Sequence, residues 1–489
     1  MRSFLSGWLL IWSSGLWAQR ASFLYALWDL DFEAAEREIT FEWNGSYITW
    51  DQHRLAFFRA VFPLGPAERK AFWEATQLYE RQFERQIAPA LPELVADMYA
   101  QRAIVHALES EWALAGYAAW QSWRYLQRGL ANDPLTAQWQ GLWQVIFATL
   151  PPPYSRWLPG KPSLRWEAAQ TAFQKATAPQ SYTAWESSLV YFFVLRNFDT
   201  LAGAWIDTCR VRLFQGAPPP YLWRFALGLY AFEEGQLSQA ESLFQELTCK
   251  PQIARFPYPY YWLGKLYLYR GERQKARQMW QAFVQRQTQP FGLAAQYGWR
   301  GYLAWMEGDT AEAQRYWQTA VSYSGLLWEE DLLAQALARQ WLHQPPDSVE
   351  KRLWAARWLL HQGAYPEAQD TLEPLRVAAL RLSGDQRTAL YYTYGRLYHR
   401  WGKDDLARFA YYQATRQVAQ ANRWMQAYAA LYLAQLYERA RDWHPARLYY
   451  TEAQKIGAAV GRTGVVQKAK AGYERLKNKR YPVPGEVSR

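Results

Sequence analysis

Cysteine is almost missing: Cys209 and Cys249 are the only two in 489 residues. That excludes a disulfide-built framework and falls short of the ligand set a zinc site needs. One bridge between the pair, or two unreacted thiols, are the readings left. Histidine is also sparse. No two of His53, His106, His343, His361, His399 and His444 stand three or four apart, and no HExxH occurs, so a helical metal-ligand pair is not expected. The nucleophile elbow GxSxG, the phosphate loop GxxxxGK[ST] and a GxGxxG after a strand are missing too. The acidic run Glu329-Glu330-Asp331 reads as a solvated first turn of a helix, favoured by the helix dipole, rather than as a general acid. Glu109 and Glu111 read the same way. These absences point away from an enzyme, a cofactor and a metal.

Long apolar runs are missing except at the start. Arg2, the apolar stretch Phe4–Trp17 and Ala18 before Gln19 spell a secretory signal peptide over 1–18. The stretch is short for a membrane span. Leu16 stands where a small residue is usual, so an uncleaved anchor is the alternative. No transmembrane span is expected beyond it, and the implied location is the periplasm or cell envelope. What the chain has in abundance is rings: 29 Trp and 34 Tyr, with half the residues apolar. Aromatics at this density read as filler between helices. The formal charge is +11, and an exported protein of this charge is not expected to meet nucleic acid.

The rings fall in a pattern. Tyr394–Ala414 places Gly395 and Tyr398 on one helical face, Gly402 at a turn, then Ala407, Tyr411 and Ala414 on a second face. Five more stretches align with it. The first small residue is Gly228, Gly264, Gly301, Ala356, Gly395 and Ala434. The turn residue is Gly235, Gly271, Gly308, Gly363, Gly402 and, as a departure, Arg441. The crossing residue is alanine throughout: Ala240, Ala276, Ala313, Ala368, Ala407 and Ala446. Four later come Phe244, Trp280, Trp317, Leu372, Tyr411 and Tyr450. The small residues let two helices approach, and the rings fill the space beside them. Anchors lie 36, 37, 55, 39 and 39 residues apart. The gap of 55 has room for an extra helix at Leu327–His343, stopped by Pro345-Pro346, where a kink or change of face is expected.

This spelling resembles the tetratricopeptide repeats. The resemblance implies an all-α fold: a right-handed α-solenoid of antiparallel helix pairs, with a degenerate helical N-terminal part. The expected division is a signal peptide at 1–18, degenerate repeats at 19–160 and connecting helices at 161–217. Units one to three follow at 218–323, the extra helix at 324–346 and units four to six at 347–458. A basic capping helix at 459–480 and a tail at 481–489 close the chain. Within the N-terminal part, Phe32, Ala35 and Ile39 are spaced like a second helix, and Trp112, Ala115 and Ala119 like a crossing face. Gly141–Trp157 and Gln467–Leu476 are similar to exported Bacteroidota tetratricopeptide proteins. More remotely they look like a eukaryotic tetratricopeptide family of the mitochondrial outer membrane and lipid droplets. Neither resemblance carries catalytic residues.

In the family, the first helix of each unit lines a concave groove. The inward positions carried over are Tyr261, Lys265 and Tyr269, then Tyr302 and Trp305, then Arg357 and His361. Tyr392, Arg396, His399 and Arg400 follow in unit five, and Arg439 in unit six. That groove is aromatic early and basic late, which suits another protein or an acidic peptide whose carboxylates meet arginine. The expected function is a non-enzymatic scaffold for protein–protein interaction in the cell envelope. The alternative is anchorage to anionic lipid or glycan through Lys468, Lys470, Arg475, Lys477, Lys479 and Arg480.

Overall fold

Four of the six repeats are built on a glycine that gives a ring its seat. A Cβ on Gly228, Gly264, Gly301 or Gly395 would come within 2.4–2.6 Å of the ring of Phe244, Trp280, Trp317 or Tyr411 on the second helix of the same unit. The ring therefore lies flat on bare backbone, and the Trp280 indole donates to the Tyr261 carbonyl at 3.2 Å. The sequence suggests that the small anchor serves backbone approach alone; in the structure its first use is to hold the ring. The crossing alanines are buried in all six units. In the sixth, where Ala434 carries a Cβ, the Tyr450 ring lies against Gly472 of the following helix.

The computed structural model describes residues 22–39, 45–62, 65–86, 92–129, 133–149, 162–178, 181, 183–198, 202–213, 218–288, 290–324 and 329–476. The signal-peptide segment 1–18, the tail 481–489 and Lys477, Lys479 and Arg480 lie outside them. The described residues are helical, with two short 3-10 turns and no strand. The N-terminal half runs α1 (22–28), α2 (Phe32–Ile39), α3 (Gly45–Val61), α4 (Pro66–Gln86), α5 (Pro92–Leu108), α6 (Trp112–Leu126), α7 (Pro134–Thr149), α8 (Pro162–Ala176), α9 (Ala184–Phe198) and α10 (Ala202–Arg212). Units one to three are α11 (Tyr221–Glu233) with α12 (Leu237–Thr248), α13 (Tyr258–Tyr269) with α14 (Arg273–Arg286), and α15 (Leu293–Glu307) with α16 (Thr310–Ser322). The unpaired α17 (Glu329–His343) packs on both helices of unit three. Units four to six are α18 (Ser348–His361) with α19 (Tyr365–Val377), α20 (Gly384–Arg400) with α21 (Asp404–Thr415), and α22 (Arg423–Arg439) with α23 (Trp443–Ala459). The last helix is α24 (Thr463–Leu476). The whole is an α-solenoid of antiparallel hairpins.

Every unit turns on a left-handed residue followed by a backbone bond back across the helix end. Gly235, Gly271, Gly308, Gly363 and Gly402 have φ between +74° and +92°, and Arg441 takes the same role at +60°. The next residue's N–H reaches a carbonyl five back, as from Lys403 to Tyr398 at 2.9 Å, which satisfies the helix's last acceptors. Leu30 (φ +57°) and Ser110 (φ +63°) make the same turn between α1 and α2 and between α5 and α6. A side chain there costs about 1 kcal/mol, and the hairpins keep the geometry without the glycine that would have marked it. In α6 the buried line is Ala115, Ala118, Ser122 and Leu126; Trp112, expected on the crossing face, is 58% exposed.

The N-terminal half is tied by a buried polar network. Asp97 accepts from the indoles of Trp50 and Trp139 and from Gln101, each at 2.7 Å. Arg54 lies 3.6 Å from Asp97 and 2.6 Å from Glu186, which also accepts from Gln138. His53 joins Gln101 at 2.8 Å and Thr76 at 3.0 Å. Five helices (α3, α4, α5, α7 and α9) are thereby fixed in register by groups with no path to water. Cys209 is buried, Cys249 exposed, and the two are not bridged.

Two substitutions test this account. Gly395→Ala should gain about 1 kcal/mol in helix propensity, yet its Cβ would meet Tyr411 at 2.4 Å. A net loss of about 1–3 kcal/mol in denaturant unfolding is expected, and a gain would refute the ring seat. Asp97→Ala strands three donors and Arg54, and should cost about 3–5 kcal/mol.

Candidate functional site

The residues expected to line an open groove converge, but early and late parts of the array face each other. α18 lies against α13: Gln362 donates to the Tyr269 carbonyl at 2.6 Å, and the His361 ring stacks on Tyr269 at 4.2 Å. Phe232 continues the stack at 5.5 Å from Tyr269. Arg400 of α20 donates to the Glu233 carbonyl at the end of α11. Units one and two therefore meet units four and five across the concave side. The odd helix α17 interrupts the alternation and brings the second block round.

This corrects the picture of a continuous furrow. Tyr261, Lys265, Tyr269, Tyr302 and Trp305 are buried, and Tyr302 sits in a knot of rings with Trp305, Trp341 and Trp354 at 5.2–5.4 Å. Arg357, His361, Tyr392, Arg396, His399 and Arg400 are half-buried, and Arg439 is exposed. The basic late half alone reaches solvent. Glu330 was expected in a solvated turn; instead it accepts from Tyr261 at 2.5 Å and pairs with Lys265 at 2.9 Å. Asp331, fully buried, accepts from the N–H groups of Gly292 and Ala295 and so caps α15. Burial pushes its carboxyl up to about 6 against those two bonds. An acidic run that looks surface-bound in sequence thus locks the extra helix onto units two and three.

The electrostatics centre on His361. Burial, then Arg400, Arg396, Lys265 and Arg357, hold its imidazole well below its ordinary value, and its Nδ1 has no hydrogen-bond partner. Of the four cations, Lys265 meets Glu330, and Arg357 lies 4.0 Å from Glu350 while donating to Thr393 at 3.2 Å. Burial works against the Lys265 ammonium, and Glu330 more than offsets it. Among the described residues Arg396 and Arg400 pair with no carboxylate; Arg396 lies over the Tyr432 ring at 4.6 Å. A basic strip leads outward from there. Arg439 donates to His399 Nε2 at 2.9 Å and lies 3.3 Å from Asp404. Arginine only donates, so Nε2 accepts and the His399 proton sits on Nδ1, towards Tyr411 at 3.3 Å. Burial and three arginines push His399 down to about 3.

The sequence reading found these cations and missed the residues that hold them: Glu330, Glu350, Tyr432 and the Glu233 carbonyl. Glu350, six before Ala356, and Glu233, five after Gly228, stand at groove positions of the repeat, whereas Glu330 and Tyr432 do not. Among the described residues one trio, His106, Glu109 and Glu111, brings three ligand-type atoms within 4.8 Å of one another. His106 meets Glu111 at 2.6 Å and Glu109 meets Arg69 at 3.7 Å, which accounts for it as an ion-paired turn.

No protein-family model matches the chain, and no curated protein matches it. Solved structures do. An IFIT1 monomeric mutant with Gppp-AAAA is 15% identical, covering 93% of this chain and 95% of that one at a TM-score of 0.33. A Rap protein complexed with competence and sporulation factor is 12% identical, covering 92% and 99% at 0.25. The Cut9–Hcn1 hetero-tetramer of APC/C is 12% identical, covering 94% and 96% at 0.25. Superposition this loose transfers no residue role and no ligand. The six glycine- or alanine-anchored hairpins decide the matter. The fold is that of the tetratricopeptide repeats. Within such a scaffold no described helix is long and apolar enough to cross a membrane.

The depressed imidazoles make a prediction. Burial holds His53 down to about 3, His399 sits as low, and His361 is well below its usual value. The unfolded chain takes up protons near pH 6.5 that the folded chain refuses until far lower. Stability therefore falls as pH drops from 6.5 towards 3, by about 2 kcal/mol per fully depressed imidazole at pH 5. The raised Asp331 acts in the opposite sense between about 4 and 6, so the comparison is best made between variants. His53→Asn should flatten the pH 5–7 limb of denaturant stability relative to the parent chain, and an identical limb would mean that the ring titrates normally.

Proposed function

We propose that this tetratricopeptide-repeat chain is an exported binding scaffold in the cell envelope. It holds an acidic segment of another protein on the basic face of α20 and α22. The observation that supports this reading is Arg396. Its guanidinium is half-buried, faces His361 together with three further cations, rests on the Tyr432 ring and pairs with no carboxylate among the described residues. A guanidinium withdrawn from water is costly without an acceptor, and an incoming carboxylate supplies one in bidentate geometry. Arg439, exposed at the outer end, extends the strip to solvent and gives an extended peptide a way in. Export rests on the sequence of residues 1–18.

Anchorage to an anionic lipid or glycan surface has less behind it. Arg475 is committed to Glu438 at 3.0 and 3.1 Å, and α24 packs its apolar side on α22, α23 and, through Ala471, the α9 cluster of Tyr191 and Val194.

The test is fluorescence anisotropy with a labelled oligoglutamate peptide. Arg396→Gln should weaken binding at least tenfold with the melting curve unchanged. Arg352→Gln, exposed on α18, should leave binding alone. Arg400 is unsuited to the test, because it closes α20 onto Glu233. Equal affinity in Arg396→Gln would overturn the assignment. A single-stranded RNA oligonucleotide that displaces the peptide and binds more tightly would replace the protein partner with a nucleic acid.

A further inference from the structure

Where the N-terminal half meets units one and two, the packing stops short. A cavity of about 570 Å³ opens between α1, α3 and α9 on one side and α11, α13 and the end of α14 on the other. Its apolar wall is rich in rings, among them Trp28, Phe62, Phe193, Phe225, Phe256 and Trp262. Protein interiors are close-packed, and a gap of this size in a core forfeits contacts along its whole lining. The volume lies in the range of small-molecule sites, which are apolar bodies with a few polar groups at one end.

The charged groups here are three arginines, beside the neutral Asn197, Gln287 and Thr288. Arg196 is held by Glu233 at 2.5 Å, and Arg255 by Glu33 at 2.7 Å and the Leu30 carbonyl at 2.6 Å. Arg286 differs. It is exposed at the end of α14, lies 5.0 Å over the Tyr260 ring, donates to the Ala282 carbonyl and pairs with no carboxylate among the described residues. The cavity thus combines an apolar body with one uncommitted cation at its edge. We propose that it binds an amphipathic monoanion of the fatty-acid type, with the apolar chain among the rings and the carboxylate on Arg286. The two arginines already paired keep the wall polar without adding a second demand for anion, so a single head group is the matching charge. This site shares no cation with the basic strip around Arg396 and does not depend on the acidic-segment reading.

The full chain can be tested with cis-parinarate, whose polyene fluorescence takes up energy from Trp28 and Trp262. Saturable one-to-one binding is expected, with dodecanoate displacing the probe and 1-dodecanol at least tenfold weaker. Arg286→Glu, at an exposed position, should weaken dodecanoate at least tenfold and leave dodecanol unchanged. Leu229→Trp, which fills the cavity, should abolish both while the circular-dichroism melt stays cooperative. If that variant does not fold, Arg286→Glu decides alone. No saturable binding, or fatty-acid binding unmoved by Arg286→Glu, would overturn the proposal.

Discussion

The contact of an aromatic face with a glycine backbone underlies the rest of the architecture. Where the first helix of a unit has no Cβ, a Trp, Tyr or Phe from the second can lie on the peptide plane itself. That sets the distance and rotation of the two helices at once. The alanine four before the ring keeps the crossing point narrow, and the left-handed turn residue closes the hairpin. Repetition of this small device builds the solenoid, because each hairpin leaves an apolar side that only a neighbour can cover. Part of the abundance of Trp and Tyr is then a structural necessity, since Trp280, Trp317, Tyr411 and Tyr450 each lie against a glycine.

Repetition would give an open superhelix with an accessible concave side. The lone α17 prevents that. It packs on unit three as a following helix would, yet has no partner, and Glu330 and Asp331 bind it to α13 and α15. The chain then resumes with α18 against α13. The concave rings become an interior, and the arginines of α20 are drawn into it with fewer carboxylates than cations. Buried positive charge of this kind is electrostatically unfavourable unless something else answers it. The functional reading is a consequence of that imbalance. The same folding-back brings α24 against α9 of the N-terminal half, and the basic C-terminal helix is covered on its apolar side.

The N-terminal half follows another logic. It has the same hairpin turns, at Leu30 and Ser110, and one glycine seat, Gly141 under the Phe173 ring, but a polar network around Asp97 and Arg54 is added to them. Hydrogen bonds there select one register among helices whose apolar faces would tolerate several. Where this half abuts the repeats, neither rule applies, and the apolar cavity beside Arg286 is what remains between two differently built surfaces.

How much of this could be read along the chain depends on range. The six hairpins, their crossing alanines and their five glycine turns were legible, because each is a local demand: minimal volume where helices touch, and a left-handed φ where they reverse. The turns at Leu30 and Ser110 were not, since a residue with a side chain can be forced into that conformation by packing and leaves no mark. In the site, the cations Arg357, Arg396, Arg400 and Arg439 were legible from repeat positions. Their partners were not: Glu330 is 65 residues from Lys265, and Glu233 is 167 from Arg400. By itself, then, the order of residues determined the helices, their pairing and the choice of small and aromatic side chains at each contact. Only the tertiary structure decided which helices meet across the concave side. That outcome depends on charge pairs and ring stacks between distant segments, which no spacing along the chain encodes.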